Sequence, residues 1–150
     1  DGGYTWTPGR KSHIDGPCSR FHIRRLRSGR LLMINHYQFD QRIDLEDIMS
    51  QGNVKSWKGR SHLTALLSED DGQTWPYYLL LDERNEVSYP DAKEAADGMI
   101  YVCYDWERVT QREILMARFT EDDILQGHLS DKRSKLRVLV NKALGQPDIH

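Results

Sequence analysis

The chain of 150 residues is poor in cysteine, in net charge and in long apolar runs. Its two cysteines, Cys18 and Cys103, lie far apart and have no metal-ligand spacing. Cys103 sits in an apolar stretch and reads as a small buried hydrophobe. A formal net charge of −2 argues against a generic binder of polyanions such as nucleic acid. No apolar run approaches the roughly 20 residues of a membrane-spanning helix. The six histidines, His13, His22, His36, His62, His128 and His150, show no metal-ligand spacing and read as ordinary surface or strand residues. The hydrophobic fraction is 38%, low but compatible with β-sheet whose outer face is wet.

What is present starts with one stretch, Ser68-Glu69-Asp70-Asp71-Gly72-Gln73-Thr74-Trp75. Asp70 is placed to accept hydrogen bonds from backbone N–H groups of a tight turn. Gly72 supplies a backbone conformation that other residues reach only at a cost. Trp75 then opens the next strand as an apolar anchor. The chain begins with a second copy, Asp1-Gly2-Gly3-Tyr4-Thr5-Trp6, offset by 69 residues at the Asp, Gly, Thr and Trp positions. A repeated turn motif points to a repeat architecture.

Between and beyond these turns the pattern is one of strands. A short strand is expected after Trp6, then a loop through Gly16 and Pro17. Arg20 to Leu26 alternates, Arg27-Ser28-Gly29 is a turn, and Arg30 to His36 is an apolar run of strand length. Arg20, Arg24, Arg25, Arg27 and Arg30 read as a solvated basic face. Tyr37 to Gly59 is a long polar insertion with a short helix expected over Asp44 to Met49. Arg60 to Leu67 and Trp75 to Leu81 are strands, and Asp82 to Glu86 is a polar connection. A further run starts at Val87, turns at Asp97-Gly98, and continues in strands over Met99 to Trp106 and Arg112 to Phe119. Thr120 reads as a helix cap with Asp123 at the third helical position and Gly127 at the end. Ser134 to Ala143 fits a strand or a helix.

Ser68 to Trp75 resembles the Asp box of sialidase (neuraminidase)-like β-propellers, the motif of BNR repeats, found there between the third and fourth strands of a blade. The resemblance implies an all-β fold: a partial sialidase-like propeller of about two to three four-stranded antiparallel blades with one or two short helices. Residues 1–19 would end one blade, 20–86 form a full blade with its Asp box, and 87–150 form the following blade and a C-terminal segment. Since propeller blades need roughly 40–50 residues each, the chain is expected to be a C-terminal fragment of a larger propeller.

The same resemblance picks out site residues. Lys58 to Ala65 resembles the sialidase segment in which an Arg before the Asp-box strand binds the substrate carboxylate, which implies substrate binding by Arg60. An Arg fork matches a carboxylate bidentately. Ser88-Tyr89-Pro90-Asp91-Ala92, followed by Asp97 to Asp105, resembles the segment carrying the nucleophilic Tyr and a later Tyr–acid pair. Tyr89 becomes the implied nucleophile and Asp105 the acid that orients an Arg of the site. A phenol needs a nearby base, since it ordinarily titrates near pH 10. Tyr104 to Ala117 also resembles sialidase-like bacterial proteins, with Arg108 as a further carboxylate-binding Arg or a partner of Asp105. The family's base, a Glu, has no counterpart at Cys18 to Arg20, and Asp15 is the nearest acid.

The function implied is that of an exo-acting glycoside hydrolase on terminal acidic sugars, incomplete in this chain. The alternative is a non-catalytic carbohydrate-binding or structural propeller fragment. No cofactor, metal, nucleic acid or membrane is implied; the chain gives no compartment, and a secreted or periplasmic one is plausible for the parent family. An incomplete ring leaves blade edges unpaired, so the chain is expected to self-associate. Sedimentation velocity at high concentration should show oligomers, and a clean monomer would contradict the expectation.

Overall fold

Residues 1–10, 12–14, 16–37 and 60–144 are described in a computed structural model. Two four-stranded antiparallel sheets and one short helix account for the regular structure. The first sheet is a meander of β1 (His22–Arg25), β2 (Leu31–His36), β3 (Leu63–Ser68) and β4 (Tyr77–Asp82). The second is a meander of β5 (Val87–Glu94), β6 (Ile100–Trp106), β7 (Glu113–Phe119) and β8 (Lys135–Lys142), with helix α1 (Glu121–Gln126) between β7 and β8. The stretch after Ser134 is thus a strand: β8 pairs with β7 through Val138↔Met116 and Lys135↔Arg118. The helix expected over Asp44 to Met49 lies outside the described residues, as does Asp15.

The sheets share one apolar core. Leu32, Ile34, Leu63, Ala65 and Leu67 from the first meet Ile100, Val102, Leu115, Ala117 and Phe119 from the second. The period-2 alternation of β3, β6 and β7 turns these side chains to one face. Each large side chain buried there contributes about 1.5–3 kcal/mol. Helix α1 lies against β4 and adds Ile124 to the same cluster.

The two sheets repeat in detail. The β1–β2 hairpin turns with Leu26 N–H donating to Arg30 O at 2.9 Å and Gly29 N–H to Leu26 O at 3.0 Å. The β5–β6 hairpin turns with Ala95 N–H donating to Met99 O at 2.8 Å and Gly98 N–H to Ala95 O at 3.1 Å. The offset is again 69 residues.

Between β3 and β4 the Asp box forms as its side chains require. Asp70 accepts from Ser68 Oγ and Thr74 N at 2.8 Å each and from Thr74 Oγ1 at 2.6 Å. These bonds, the Thr74 hydroxyl first, hold its carboxyl down to about pKa 2. Gly72 adopts φ +86°, and a Cβ there would meet the Trp75 ring at 3.5 Å. The first copy keeps the threonine bonds, Asp1 accepting from Thr5 N at 3.0 Å and from Thr5 Oγ1, and adds one from Gly3 N at 3.0 Å, although Trp6 is 85% exposed.

The matching connection of the second sheet, between β7 and β8, has no Asp box and uses another carboxylate. Fully buried Asp123 accepts from Thr120 N at 2.8 Å, Ser130 Oγ at 2.9 Å, Asp131 N at 3.2 Å, and Ser130 N and Ser134 Oγ at 2.5 Å. Thr120 caps α1 in a capping box with Asp123, and Gly127 ends the helix in a left-handed turn. Burial would raise the Asp123 pKa, but the bonds from Ser134, Ser130, Thr120 and Asp131 hold it far below the carboxylate range.

The structure corrects several expectations. Residues 7–10 form no strand, because Pro8 lacks an N–H and no described strand lies alongside to pair with them. β3 starts at Leu63 and not at Arg60, since His62 at φ +51° breaks the extended run. Asp82 is the buried end of β4 and not part of a polar loop; it accepts from Tyr104 Oη at 3.0 Å and pairs with Arg84. Cys103 is exposed, because the register that buries Val102 and Tyr104 turns it to the outer face of the second sheet.

The basic cluster is not a free solvated face either. Arg20 and His22 pair with Asp91, Arg24 donates to Ala92 O at 3.0 Å, and Arg27 grips Glu94 at 3.1 Å. Arg27 also donates to the carbonyls of Ala95 and Ala96. Arginines on and beside β1 thereby clamp the edge of one sheet to β5 of the other.

Asp123→Ala should destabilise the chain by about 3 kcal/mol in urea unfolding, since it strands the buried Ser134 hydroxyl and four part-buried donors. Asp70→Ala should cost distinctly less, its turn being open to water.

Candidate functional site

The four residues singled out from the sequence, Arg60, Tyr89, Asp105 and Arg108, come together where β2, β3, β5 and β6 end. The local cause is a bulge in β5. Ser88 pairs with Asp105 and Asp91 with Cys103, so Tyr89 and Pro90 both stand opposite Tyr104. Tyr89 sits at φ +55°, a left-handed conformation that an aromatic residue adopts only under constraint. The bulge leaves the ring 41% exposed at the end of the sheet.

Two guanidiniums lie against that ring. Arg108 Cζ is 4.2 Å and Arg60 Cζ 5.4 Å from its centre, both within cation–π range. Arg108 comes from the β6–β7 loop, where Glu107 and Arg112 also take positive φ. Its Nε donates to Asp105 Oδ2 at 2.9 Å, and its Nη2 reaches Asp105 Oδ2 and, at 3.4 Å, Ser88 Oγ. Ser88 Oγ in turn donates to Asp105 Oδ1 at 2.5 Å. Asp105 therefore orients Arg108 with one oxygen and holds Ser88 with the other. Burial opposes the charge of Arg108, but Asp105, with the Tyr89 hydroxyl behind it, holds its pKa above the usual value.

Arg60 is 7% exposed and reaches inward. Its Nε and Nη2 donate to the Cys18 carbonyl at 3.2 and 2.6 Å. The segment where the resemblance calls for an acid thus supplies a main-chain oxygen, and the group it holds is a guanidinium.

Sequence reasoning misses Ser88, Cys18, Ser19 and His36. Ser88 borders Tyr89, but a serine on a strand carries no signal of its own. His36 reads in the sequence as an ordinary strand histidine, and it lies buried on β2. Its Nδ1 lies 3.1 Å from Ser61 O and its Nε2 3.3 Å from Ser19 Oγ. A carbonyl only accepts, so Nδ1 carries the proton and Nε2 is the acceptor facing Ser19 Oγ, whose proton it shares with the Arg20 carbonyl 3.4 Å from that oxygen. Burial first, then the charge of Arg60, lowers the His36 pKa to about 4 against the pull of the Ser61 carbonyl and Asp105. Among the described residues no group of histidine, cysteine and carboxylate side chains is arranged to hold a metal ion.

Kinship is decided by the comparison with protein families. Residues 1–102 match the BNR repeat-like domain. The chain belongs to this family. The matched span of this BNR repeat-like chain holds both Asp boxes, Arg60 and Tyr89, and ends in β6 before Asp105 and Arg108. Neither the curated proteins nor the solved structures include a match.

The His36 geometry predicts how stability depends on pH. The unfolded chain takes up a proton at His36 near pH 6.5, while the folded chain resists until about pH 4. The unfolded state binds more protons in that window, so stability should fall as the pH drops through it, by roughly 3 kcal/mol at pH 4. His22, also lowered by burial despite Asp91, adds to the same fall. Urea unfolding of His36→Gln should show a much shallower decline between pH 6.5 and 4 than the parent chain.

Proposed function

We propose that the cluster around Tyr89 is an acidic-sugar site of the sialidase-like kind, on a sheet pair that forms part of a β-propeller. The observation that carries this reading is the pair of guanidiniums on one exposed tyrosine. Arg108, set by Asp105, and Arg60, set by Cys18, put two positive charges beside a ring that sits at the mouth of the site. A sugar carboxylate fits such a pair by charge, and Arg, always protonated, serves this role better than Lys. The tyrosine face offers the apolar contact that a sugar ring takes.

In the hydrolytic version Tyr89 attacks the anomeric carbon. A phenol suits a substrate that is itself an anion, since a carboxylate nucleophile would be repelled by the sugar's own carboxylate. The Tyr89 oxygen bonds to the anomeric carbon as the bond to the aglycone oxygen breaks, the phenolic proton in net leaving with the aglycone; water then cleaves the glycosyl–tyrosine bond, its hydroxyl going to the sugar and its proton to the phenolate. Asp105 is committed to Ser88 and Arg108 and serves as the orienting acid.

One observation favours a second reading, binding without hydrolysis. Among the described residues no carboxylate is hydrogen-bonded to the Tyr89 hydroxyl, whose neighbour is Arg108. A tyrosine nucleophile needs such a base.

Titration with N-acetylneuraminic acid should give saturable binding that weakens at least tenfold in Arg108→Ala. A fluorogenic sialoside separates the two readings. Turnover lost in Tyr89→Phe with binding kept supports the hydrolase; binding with no turnover by the parent chain leaves the binding site alone standing. Absence of both sinks the acidic-sugar reading.

A further inference from the structure

We propose that His36 is a positioning residue for Arg60, one imidazole ring that fixes the guanidinium and its carbonyl acceptor relative to each other. The inference rests on the reading of Arg60 as a ligand-binding residue, and goes beyond it to what aims that side chain.

Arg60 donates to an acceptor that secondary structure does not hold. Cys18 lies in residues 16–21, which form no strand. Its carbonyl nevertheless receives both Nε and Nη2 of Arg60.

His36 touches both partners' neighbours. Nδ1–H donates to the carbonyl of Ser61, the residue after Arg60. Nε2 accepts from the hydroxyl of Ser19, the residue after Cys18. The ring is 3% exposed and sits on β2, whose pairing with β3 is in register at His36↔Leu63. One planar group therefore sets the spacing between the root of the arginine and the segment that carries its acceptor. A neutral imidazole suits the task because it offers one donor and one acceptor on opposite sides.

The rest of the segment supports this grip. Ser19 N–H donates to Pro17 O at 2.7 Å, which folds the chain tightly around Cys18. Gly16 lies so close to the Asn35 side chain that a Cβ would stand 3.3 Å from it. Within the segment Arg20 holds Asp91 at 3.3 Å. Arg60 and Arg108 are thus aimed by different means: a carboxylate for the exposed one, and a histidine-held main-chain carbonyl for the buried one.

The test reads Arg60 directly. In the 15N-labelled chain, the Arg60 Nε–H resonance is identified by its loss in Arg60→Lys, and its exchange with solvent is measured. His36→Leu, which keeps the bulk and removes both hydrogen bonds, should speed this exchange at least tenfold. Ser19→Ala should do likewise, and the double variant should exchange no faster than His36→Leu. Backbone amides of β7 should be unaffected, which separates positioning from general loosening. Unchanged Arg60 exchange in folded His36→Leu overturns the proposal. Should that variant fail to fold, unchanged exchange in Ser19→Ala overturns it; so does an Arg60 Nε–H unprotected in the parent chain. Titration of the same proteins with N-acetylneuraminic acid tests the sugar site separately. A parent chain that binds no sugar while its Arg60 behaves as described counts against the acidic-sugar reading and supports the positioning role.

Discussion

A carboxylate that folds a connection around itself is the interaction on which both sheets depend. A four-stranded meander needs its last strand brought back beside the third, and that return is where the backbone runs out of ladder partners. Asp70 solves this for the first sheet with a short loop, taking one backbone donor and two hydroxyls. Asp123 solves it for the second over a longer path, taking three backbone donors and two hydroxyls from inside the protein. The chemistry is the same, and the difference lies in burial. The open loop relies on few atoms and tolerates water; the buried one encloses a helix turn and adds Ile124 to the core.

Arginine carries the second layer of organisation. From the region of β1, arginines reach across to β5 and tie two sheets that otherwise meet through apolar side chains. Isolated exposed ion pairs contribute little to stability. Their value here is directional. An apolar core permits sliding, while guanidiniums bonded to the carbonyls of Ala92, Ala95 and Ala96 admit one register. The site uses the same device at its other end, where Arg60 and Arg108 converge on a tyrosine of β5. The two meanders are held at both ends of their junction by the same side-chain type.

Much of this is legible in the sequence because it is local. The Asp box announces itself through side chains within eight residues, and the hairpins at Gly29 and Gly98 through turn chemistry. The capping box at Thr120 is equally short-range. Alternation marks β6 and β7 as strands, but alternation alone does not say which face is covered. Cys103 therefore reads as buried in the sequence and stands exposed in the fold. The stretch from Ser134 is ambiguous because strand and helix periods both fit it, and only pairing with β7 decides. In the site, the resemblance reaches Arg60, Tyr89, Asp105 and Arg108, residues that long-range packing brings together. It does not reach His36 or Cys18, whose roles come from a ring orientation and a main-chain oxygen. Neither leaves a mark on residue type.

The backbone at Tyr89 has a consequence for how such a chain changes over generations. A left-handed conformation at a residue with a Cβ costs about 1–2 kcal/mol, and glycine or asparagine there would relieve it. Tyrosine is thus a poor choice for the fold at its own position. A lineage under pressure for stability alone would drift away from it, and a laboratory screen for thermal resistance would favour its loss. Retention of tyrosine in related sequences would consequently record selection on the side chain, which makes this one codon a reporter of whether the site is in use.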